Sequence, residues 1–337
     1  MTTSFPPEAS TGRAAEFEAL FTRVRAWADA VRLVTATRGE HPLPEGAVGV
    51  STWRMRGVRA LQVWRAAKEV GRELCPDLVI MGGLLLPDLP WPTLRLVREL
   101  TDAFGRPQPV GLAARLNARR AERVVVPSNL VRQRIFDLGV PRWRVEKVAM
   151  AVSDDPPPPL PTAGTPVRLV HPGSIRLAKG QHLSIDAVSR LPPEFKAMVD
   201  LAVVGPVADA RYAAQLRIAA RRQPVSFPDT SPAAAIAESH AVLCIDAAAP
   251  GFPDAALRAM AMGRPVLWAD HPATRDVLGT VGFPVPAEPR ALRRRLIELL
   301  PTLDWQREGA RARAFAVERF GWSQLWPVWR DLLSRYA

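Results

Sequence analysis

Residues 250–266 of this chain read Pro250-Gly251-Phe252-Pro253-Asp254-Ala255-Ala256-Leu257-Arg258-Ala259-Met260-Ala261-Met262-Gly263-Arg264-Pro265-Val266. A strand-like apolar run, 241–245, precedes them, and a second apolar run, 266–268, follows. Glycine at the end of a helix, with proline two residues later, is a good helix stop, so the pattern predicts strand, loop, helix and strand. In open α/β sheets ligands bind where such loops meet helix N-termini, which makes the loop at 250–254 a candidate ligand contact.

The same alternation of apolar runs and helical patterns fills the rest of the chain. Before residue 150 it predicts strands at 31–36, 48–52, 78–80, 124–126 and 145–148, with helices that include 58–74 and 94–104. After residue 165 it predicts strands at 167–171, 199–204 and 225–227 and helices at 181–191, 211–221, 233–238 and around 290–300, followed by a helical tail. Alternating strands and helices are typical of parallel βαβ units.

A proline-rich stretch separates the two series. Four consecutive prolines, Pro156 to Pro159, cannot continue a helix or a central strand, and they favour a stiff, extended spacer. The sequence therefore predicts an α/β protein with two Rossmann-like doubly wound domains. We expect an N-terminal domain at 1–153, a linker at 154–165, a C-terminal domain at 166–318 and a terminal helix at 319–337.

Composition narrows the function classes. The chain has 337 residues and a net charge of +12, which attracts anions such as nucleotide phosphates or acidic lipids, although abundant arginine can also reflect a GC-rich genome. No tract joins clustered basic residues to aromatic ones, so a nucleic-acid partner is not expected. No apolar run approaches the ~20 residues of a membrane helix and no signal-peptide pattern opens the chain, which favours a cytoplasmic protein. The two cysteines, Cys75 and Cys244, are both expected to be buried.

A second loop carries a phosphate-binding pattern. Residues 172–180 read Pro-Gly-Ser-Ile-Arg-Leu-Ala-Lys-Gly, after a predicted strand and before a predicted helix. Glycine lets the backbone approach a ligand closely, and a lysine beside a helix N-terminus is a natural phosphate contact. A lysine in a turn is also often only solvated, so this loop alone does not decide the function.

Together the two loops resemble the signatures of retaining, family 4 glycosyltransferases (glycosyl transferases group 1) of the GT-B fold. The positions that match are Gly173, Lys179, Gly180, Gly205, Gly251, Phe252, Pro253, Ala259, Met260, Ala261, Gly263, Pro265, Val266 and the run Phe320-Gly321-Trp322-Ser323. The resemblance implies two domains facing across a cleft and a C-terminal helix that crosses back to the first. It also implies sugar transfer from a nucleotide-sugar to an acceptor, with retention, without a metal and without a cofactor other than the donor itself.

The chain departs from the family at charged positions. Pro250 and Arg258 stand where the family has two glutamates, and Ser174 replaces an arginine. A guanidinium only donates hydrogen bonds, so Arg258 cannot accept the ribose hydroxyls that the second glutamate binds, but it could meet a phosphate. Asp254 is the carboxylate of the loop that could partly replace them. The family's first-domain histidine has one candidate before the linker, His41, which is expected in a surface loop.

We therefore expect a glycosyltransferase whose acceptor is a glycan, a lipid or a small molecule, with contact to an acidic membrane surface as a further expectation. The alternative is a catalytically inactive relative that binds a nucleotide or a partner protein. The resemblance assigns no catalytic residue and no metal ligand. The expected donor-binding residues are Gly173, Ser174, Arg176, Lys179, Gly205, Gly251, Phe252, Pro253, Asp254, Leu257 and Arg258.

Overall fold

A computed structural model describes residues 12–37, 47–51, 56–82, 84, 89–97, 111–161 and 166–336. His41, the candidate histidine of the first half, lies outside these described residues. Contacts divide the chain into two compact units. Among the described residues, those up to 149 and those from 327 onward form unit 1, and those from 150 to 326 form unit 2.

Unit 1 is built from parallel strands and the helices between them. Strands β3 to β6 form a four-stranded parallel sheet in chain order, and β1 pairs with β2, also parallel. The strands are β1 (Leu33–Thr37), β2 (Ala47–Ser51), β3 (Val79–Gly82), β4 (Thr93–Leu96), β5 (Arg123–Val126) and β6 (Val145–Lys147); the helices are α1 (Gly12–Trp27), α2 (Arg56–Leu74), α3 (Leu112–Arg120) and α4 (Asn129–Asp137).

The predicted helix over 94–104 is wrong where the structure describes it. Residues 93–96 form β4, between β3 and β5, and residues 98–104 lie outside the described part of the chain. All four residues of β4 are buried. A strand buried on both faces loses the alternation of a surface strand, so its apolar run cannot be told from a buried helix by periodicity.

The two cysteines differ in environment. Cys244 is buried at the end of a central strand, as predicted. Cys75 is exposed, so the prediction that its thiol is buried is wrong. It follows the last turn of α2 with φ of 46°, and its amide donates to the carbonyl of Gly71. The helix terminus therefore leaves this side chain in solvent.

Unit 2 contains one six-stranded sheet in which every pair of strands is parallel, in the order β12-β11-β10-β7-β8-β9. Its strands are β7 (Val167–Pro172), β8 (Val199–Val204), β9 (Val225–Ser226), β10 (Ala241–Cys244), β11 (Val266–Ala269) and β12 (Phe283–Val285). Its helices are α5 (Gln181–Ser189), α6 (Pro193–Lys196), α7 (Ala210–Ala219), α8 (Pro232–Ala237), α9 (Asp254–Ala261), α10 (Pro272–Leu278), α11 (Pro289–Leu299), α12 (Trp305–Phe320) and the first half of α13 (Trp322–Leu333).

The order of the strands locates a switch point. The chain enters the sheet of unit 2 at β7, runs outward through β8 and β9, and then returns to the other side of β7 as β10. Loops after β7 and β10 therefore leave the sheet in opposite directions, which opens the crevice where doubly wound sheets bind ligands. Leu201, Leu243 and Leu267 are fully buried. Each contributes about 1.5–3 kcal/mol on burial, so the loops stand on a well-packed platform.

The proline-rich stretch runs along unit 2 and is held there by two arginines. Arg264 is 1% exposed, and its guanidinium donates to the carbonyls of Pro159 (2.9 Å) and Ile236 (3.1 Å). Arg313 donates to the carbonyl of Asp155 at 2.9 Å. Proline has no N–H, so these segments offer mainly carbonyl acceptors, and a planar guanidinium with several donors suits them.

The C-terminal helix returns to the first unit. At the start of α13 the Asp154 carboxylate accepts from the amide of Ser323 at 2.7 Å, and the residues from Pro327 onward belong to unit 1. This agrees with the predicted crossing of the last helix. Within the described residues, no helix combines the length and apolarity needed to cross a membrane.

Candidate functional site

The glycine loop after β7 lies directly beside the end of β8. Gly173 and Gly205 have φ of 124° and 147°, a region that side chains rarely adopt. A Cβ on Gly205 would overlap the main-chain carbonyl of Gly173, and the amide of Gly173 donates to the carbonyl of Val204 at 2.9 Å. The structure thus brings these two predicted donor-site glycines together, and the close packing of their backbones requires glycine at position 205.

The segment that we name the lysine loop, residues 173–180, then packs against the end of β10. Its last residues, 177–179, form a 3₁₀ turn, and Gly180 has φ of 71°. A Cβ on Gly180 would overlap the carbonyl of Ile245, and the amide of Ala247 donates to the carbonyl of Ala178 at 2.9 Å. The loops from β7 and β10 therefore meet at the switch point.

Lys179 makes an ion pair at this junction. Its Nζ lies 2.8 Å from Oδ1 of Asp246, and the two side chains are 18% and 13% exposed. Burial raises the pKa of the Asp246 carboxyl above its usual range, while Lys179 lowers it by a smaller amount. His271 donates from Nε2 to the main-chain carbonyl of Asp246 at 2.8 Å. Sequence reasoning missed Asp246; the signal was a carboxylate one residue beyond the apolar run 241–245.

A buried histidine on β7 holds the lysine loop by a hydrogen bond to its backbone. His171 on β7 donates from Nε2 to the carbonyl of Lys179 at 2.9 Å, and its Nδ1 accepts from the Ser184 hydroxyl at 2.8 Å. Burial lowers the pKa of His171 to about 3, so the ring is neutral near pH 7. Gln181, also fully buried, donates from Nε2 to the carbonyl of Ser174 at 3.1 Å. Sequence reasoning did not identify these two residues, which hold the two ends of the loop.

The N-terminus of α5 is occupied by the protein itself. The hydroxyl of Tyr212 accepts from the backbone amide of His182 at 3.0 Å and donates to Nδ1 of the same residue at 2.8 Å. Burial raises the pKa of Tyr212 to about 12 and lowers the pKa of His182, so the hydroxyl keeps its proton and the ring is an acceptor. This helix terminus therefore already has an internal partner.

The predicted loop at 250–254 leads into α9, whose first turn has no side-chain cap. A small cavity of about 10 Å³, with room for roughly one water molecule, lies between this turn and the lysine loop. Its lining residues are Lys179, Cys244, Asp246, Pro253, Asp254, Ala255, Ala256, Trp268 and Thr274. The structure thus brings Pro253 and Asp254 close to Lys179. The Lys179 ammonium and the carboxylates of Asp246 and Asp254 therefore lie together beside the N-terminus of α9.

The remaining predicted residues lie around this cavity rather than in it. Leu257 and Phe252 are buried, and Phe252 packs edge-on against Phe320 with ring centroids 6.2 Å apart. Arg258 is half-buried and lines a shallow depression with Met150 and Asp254. Gly251 precedes Phe252 and is buried.

Arg176 stands in extended backbone before the 3₁₀ turn, and its carbonyl accepts from the amide of Lys179 at 3.0 Å. It is half-buried and lies within the lysine loop, as does Ser174. Across the part of the chain that the structure describes, no group of three or more His, Cys, Asp or Glu side chains is placed to hold a metal ion.

Comparison with known proteins finds one family model that matches part of the chain. Residues 166–302, most of unit 2, match the model of the glycosyl transferases group 1. No curated protein matches the chain in sequence. The match confirms the predicted resemblance, while the assignment of Pro250 and Arg258 to the two glutamate positions stays a prediction.

Solved structures extend the likeness to nearly the whole chain. Anabaena Alr3699/HepE in complex with UDP and glucose aligns with a TM-score of 0.77 at 16% identity, covering 99% of this chain and 98% of that one. A glycosyltransferase from Rickettsia africae ESF-5 aligns at 0.73 and 12% identity, covering 99% and 96%. WaaG, a glycosyltransferase involved in lipopolysaccharide biosynthesis, aligns at 0.72 and 18% identity, covering 94% of each. The chain has the GT-B fold, as predicted.

Proposed function

We propose that this protein is a glycosyltransferase that moves a sugar from a nucleotide donor to an acceptor. The observation that carries the proposal is the position of Lys179, in a glycine-bounded loop at the switch point of a sheet that matches the group 1 glycosyl transferases. A structural neighbour with the same fold, HepE, is described in complex with UDP-glucose. Nucleoside diphosphates are therefore the donor class to test first.

The donor diphosphate binds, in this proposal, between the lysine loop and the first turn of α9. Lys179 supplies an ammonium, and Arg176 supplies a second cation from the same loop. The uncapped first turn of α9 adds N–H groups and the positive end of a helix dipole, both of which favour an anion. The first turn of α5 contributes less, because the Tyr212 hydroxyl already accepts from it.

The chemistry needs charge stabilisation more than it needs a metal. The bond between the sugar C1 and the diphosphate oxygen breaks, a bond from C1 to the acceptor oxygen forms, the acceptor proton passes to solvent, and the nucleoside diphosphate leaves. Negative charge grows on the departing diphosphate, where Lys179 and the α9 terminus stabilise it electrostatically. We propose a metal-independent reaction that retains the configuration at C1, as the family resemblance implies, and assign no residue as the base.

The alternative is a GT-B protein without transferase activity. Arg258 is the specific observation in its favour, because a guanidinium cannot accept the hydrogen bonds of ribose hydroxyls. Such a protein would bind a nucleotide without transferring the sugar, or would bind a partner protein. Binding and turnover separate these cases.

The first experiment measures binding of UDP, GDP, ADP and dTDP by calorimetry. We expect micromolar affinity for one of them, and a loss of about 10- to 100-fold in Lys179→Ala, the range for removing a charge-assisted contact. Lys147→Ala is the matched control, because Lys147 is exposed on β6 in unit 1. If none of the four nucleotides binds, the donor site is refuted and a partner-binding role takes its place. If a nucleotide binds but no sugar leaves its UDP- or GDP-sugar, the protein is an inactive nucleotide binder.

A second proposal concerns the acceptor, for which α3 of unit 1 offers a surface. Leu112 and Leu116 lie one turn apart on this helix and are 75% and 40% exposed, with Arg115 and Arg119 beside them. Trp143, 61% exposed, lies nearby, because Arg144 stacks on its ring and donates to the carbonyl of Arg119 at 2.7 Å. Exposed apolar groups among arginines suit an acidic membrane, so we propose peripheral contact at the inner membrane face.

Vesicle sedimentation tests this surface. We expect the protein to sediment with vesicles containing phosphatidylglycerol, to be released by salt, and to stay in solution with phosphatidylcholine alone. The double change Leu112→Ser with Leu116→Ser should abolish sedimentation, while Ile218→Ser, at an exposed position on α7 of unit 2, should not. Equal sedimentation of both variants would contradict the proposed surface. An acceptor at a membrane would fit cell-envelope or polysaccharide biosynthesis.

A further inference from the structure

Asp246 is the anion that the Lys179 ammonium contacts in this structure. The 2.8 Å ion pair directs the ammonium toward the end of β10, beside the small cavity that separates the lysine loop from the first turn of α9. An ammonium held by a buried carboxylate is not free to bind a phosphate without breaking that contact. The two anions therefore compete for one cation.

The surroundings of Asp246 make that competition sensitive to charge. Lys179 faces it from the lysine loop, Cys244 from β10 itself, Asp254 from the start of α9 and His271 from the residue before α10. Among these groups Lys179 and His271 favour the ionised carboxylate, whereas Asp254 and burial disfavour it. Removing Lys179 from Asp246 would leave a buried carboxylate beside another acidic group.

We propose that Asp246 is an internal competitor that holds Lys179 in the free protein and yields it to the donor diphosphate, taking up one proton from solvent as it does. The inference rests on the proposed function, because it assumes a diphosphate at Lys179. It adds a residue that limits donor affinity and makes that affinity depend on pH.

The sign of the pH dependence follows from the two states. In the free protein Lys179 partly offsets the effect of burial on the pKa of Asp246. In the complex that offset is lost and a phosphate anion comes close, so the pKa of the same carboxyl is higher still. Between the two values, binding takes up a proton and weakens as pH rises, by as much as about tenfold per pH unit. Below both values Asp246 is already neutral, and the dependence disappears.

Calorimetry with UDP tests the inference in two buffers of different ionisation enthalpy. We expect the wild type to take up a fraction of a proton, at most about one, on binding. Asp246→Asn should take up none and should bind UDP about tenfold more tightly at pH 8. Asp186→Asn, which removes an exposed carboxylate paired with Arg190 on α5, should behave like the wild type. Weaker binding by Asp246→Asn, or unchanged proton uptake, would overturn the inference.

Two further arms separate this inference from the proposed function. Binding of inorganic pyrophosphate, measured by the rise in melting temperature that it causes, tests the competition without a nucleoside. If Asp246→Asn binds neither UDP nor pyrophosphate more tightly than the wild type does, the competition is refuted. Amine labelling read by mass spectrometry reports the ion pair without any ligand. Lys179 should react several-fold more slowly than the exposed Lys147 in the wild type and faster in Asp246→Asn, whereas equal rates in the wild type would refute the pair. Protection of Lys179 with no binding of any nucleotide would instead reject the donor proposal.

Discussion

Replacing His171 by glutamine should make the free energy of unfolding less dependent on pH between pH 5 and pH 7. His171 is buried between β7 and α5, where it joins the Lys179 carbonyl to the Ser184 hydroxyl. Burial lowers the pKa of its ring from 6.5 to about 3. Glutamine can still donate to the Lys179 carbonyl, but it does not titrate. The two proteins should therefore differ mainly in how their free energy of unfolding changes with pH.

The magnitude follows from the two pKa values. The folded-state pKa lies below the unfolded one, so the unfolded state binds more protons and acidification favours unfolding. The contribution of the neutral ring is complete above pH 6.5 and is lost progressively as the pH falls from 6.5 toward 3. At about 1.4 kcal/mol per pH unit within that window, moving from pH 7 to pH 5 costs the wild type about 2 kcal/mol through this residue alone.

Urea unfolding at pH 7, 6 and 5 measures this difference. Across that range the wild type should lose about 2 kcal/mol more than His171→Gln. Ser184→Ala is the control: it should cost about 1 kcal/mol at every pH, because it removes a hydrogen bond but leaves the titrating ring in place. Parallel pH profiles for the wild type and His171→Gln would refute a buried, neutral His171.

Three other substitutions test the geometry around the site. Gly205→Ala should destabilise the protein by about 2–4 kcal/mol in a thermal melt, because Gly205 has φ of 147° and a Cβ there would overlap the Gly173 carbonyl. Gly263→Ala is the control and should cost only about 1 kcal/mol, because Gly263 has φ of 70° and a Cβ there would make ordinary contacts. Arg264→Leu should cost about 3–5 kcal/mol in urea, because the carbonyls of Ile236 and Pro159 lose the donor that they share; a loss under 1 kcal/mol would show that the proline-rich stretch is held otherwise. Pro250→Glu with Arg258→Glu should tighten nucleotide binding about tenfold in calorimetry if these positions contact the ribose, and weaker binding would mean that Arg258 has its own ligand contact.

Most of the fold could be predicted because its signals are local. The apolar runs 199–204 and 241–245 match β8 and β10 closely, and the glycine and proline after Met262 mark the end of α9. These signals act between residues close in sequence, through backbone preference and the period of apolar side chains. Where the local pattern was ambiguous, as in the buried strand β4, the prediction failed.

Some residues of the candidate site could likewise be predicted from local sequence, and others could not. The glycines at 173 and 205 and the lysine at 179 could be found from sequence, since loops after strands and before helices have recognisable composition. The roles of His171 and Asp246 depend on hydrogen bonds and an ion pair that form only in the folded chain. Lys179 and Asp246 are far apart in sequence, and they meet only because β10 returns to lie beside β7.

The sequence by itself thus determined a doubly wound α/β chain, its resemblance to the group 1 glycosyl transferases and a basic loop suited to phosphate. Only the tertiary structure decided what that loop touches: a neutral histidine beneath it, a tyrosine hydroxyl on the helix that follows, and a buried carboxylate on its lysine. The reason is physical. Backbone conformation is encoded by neighbours along the chain, whereas burial and ion pairing depend on the order in which strands assemble.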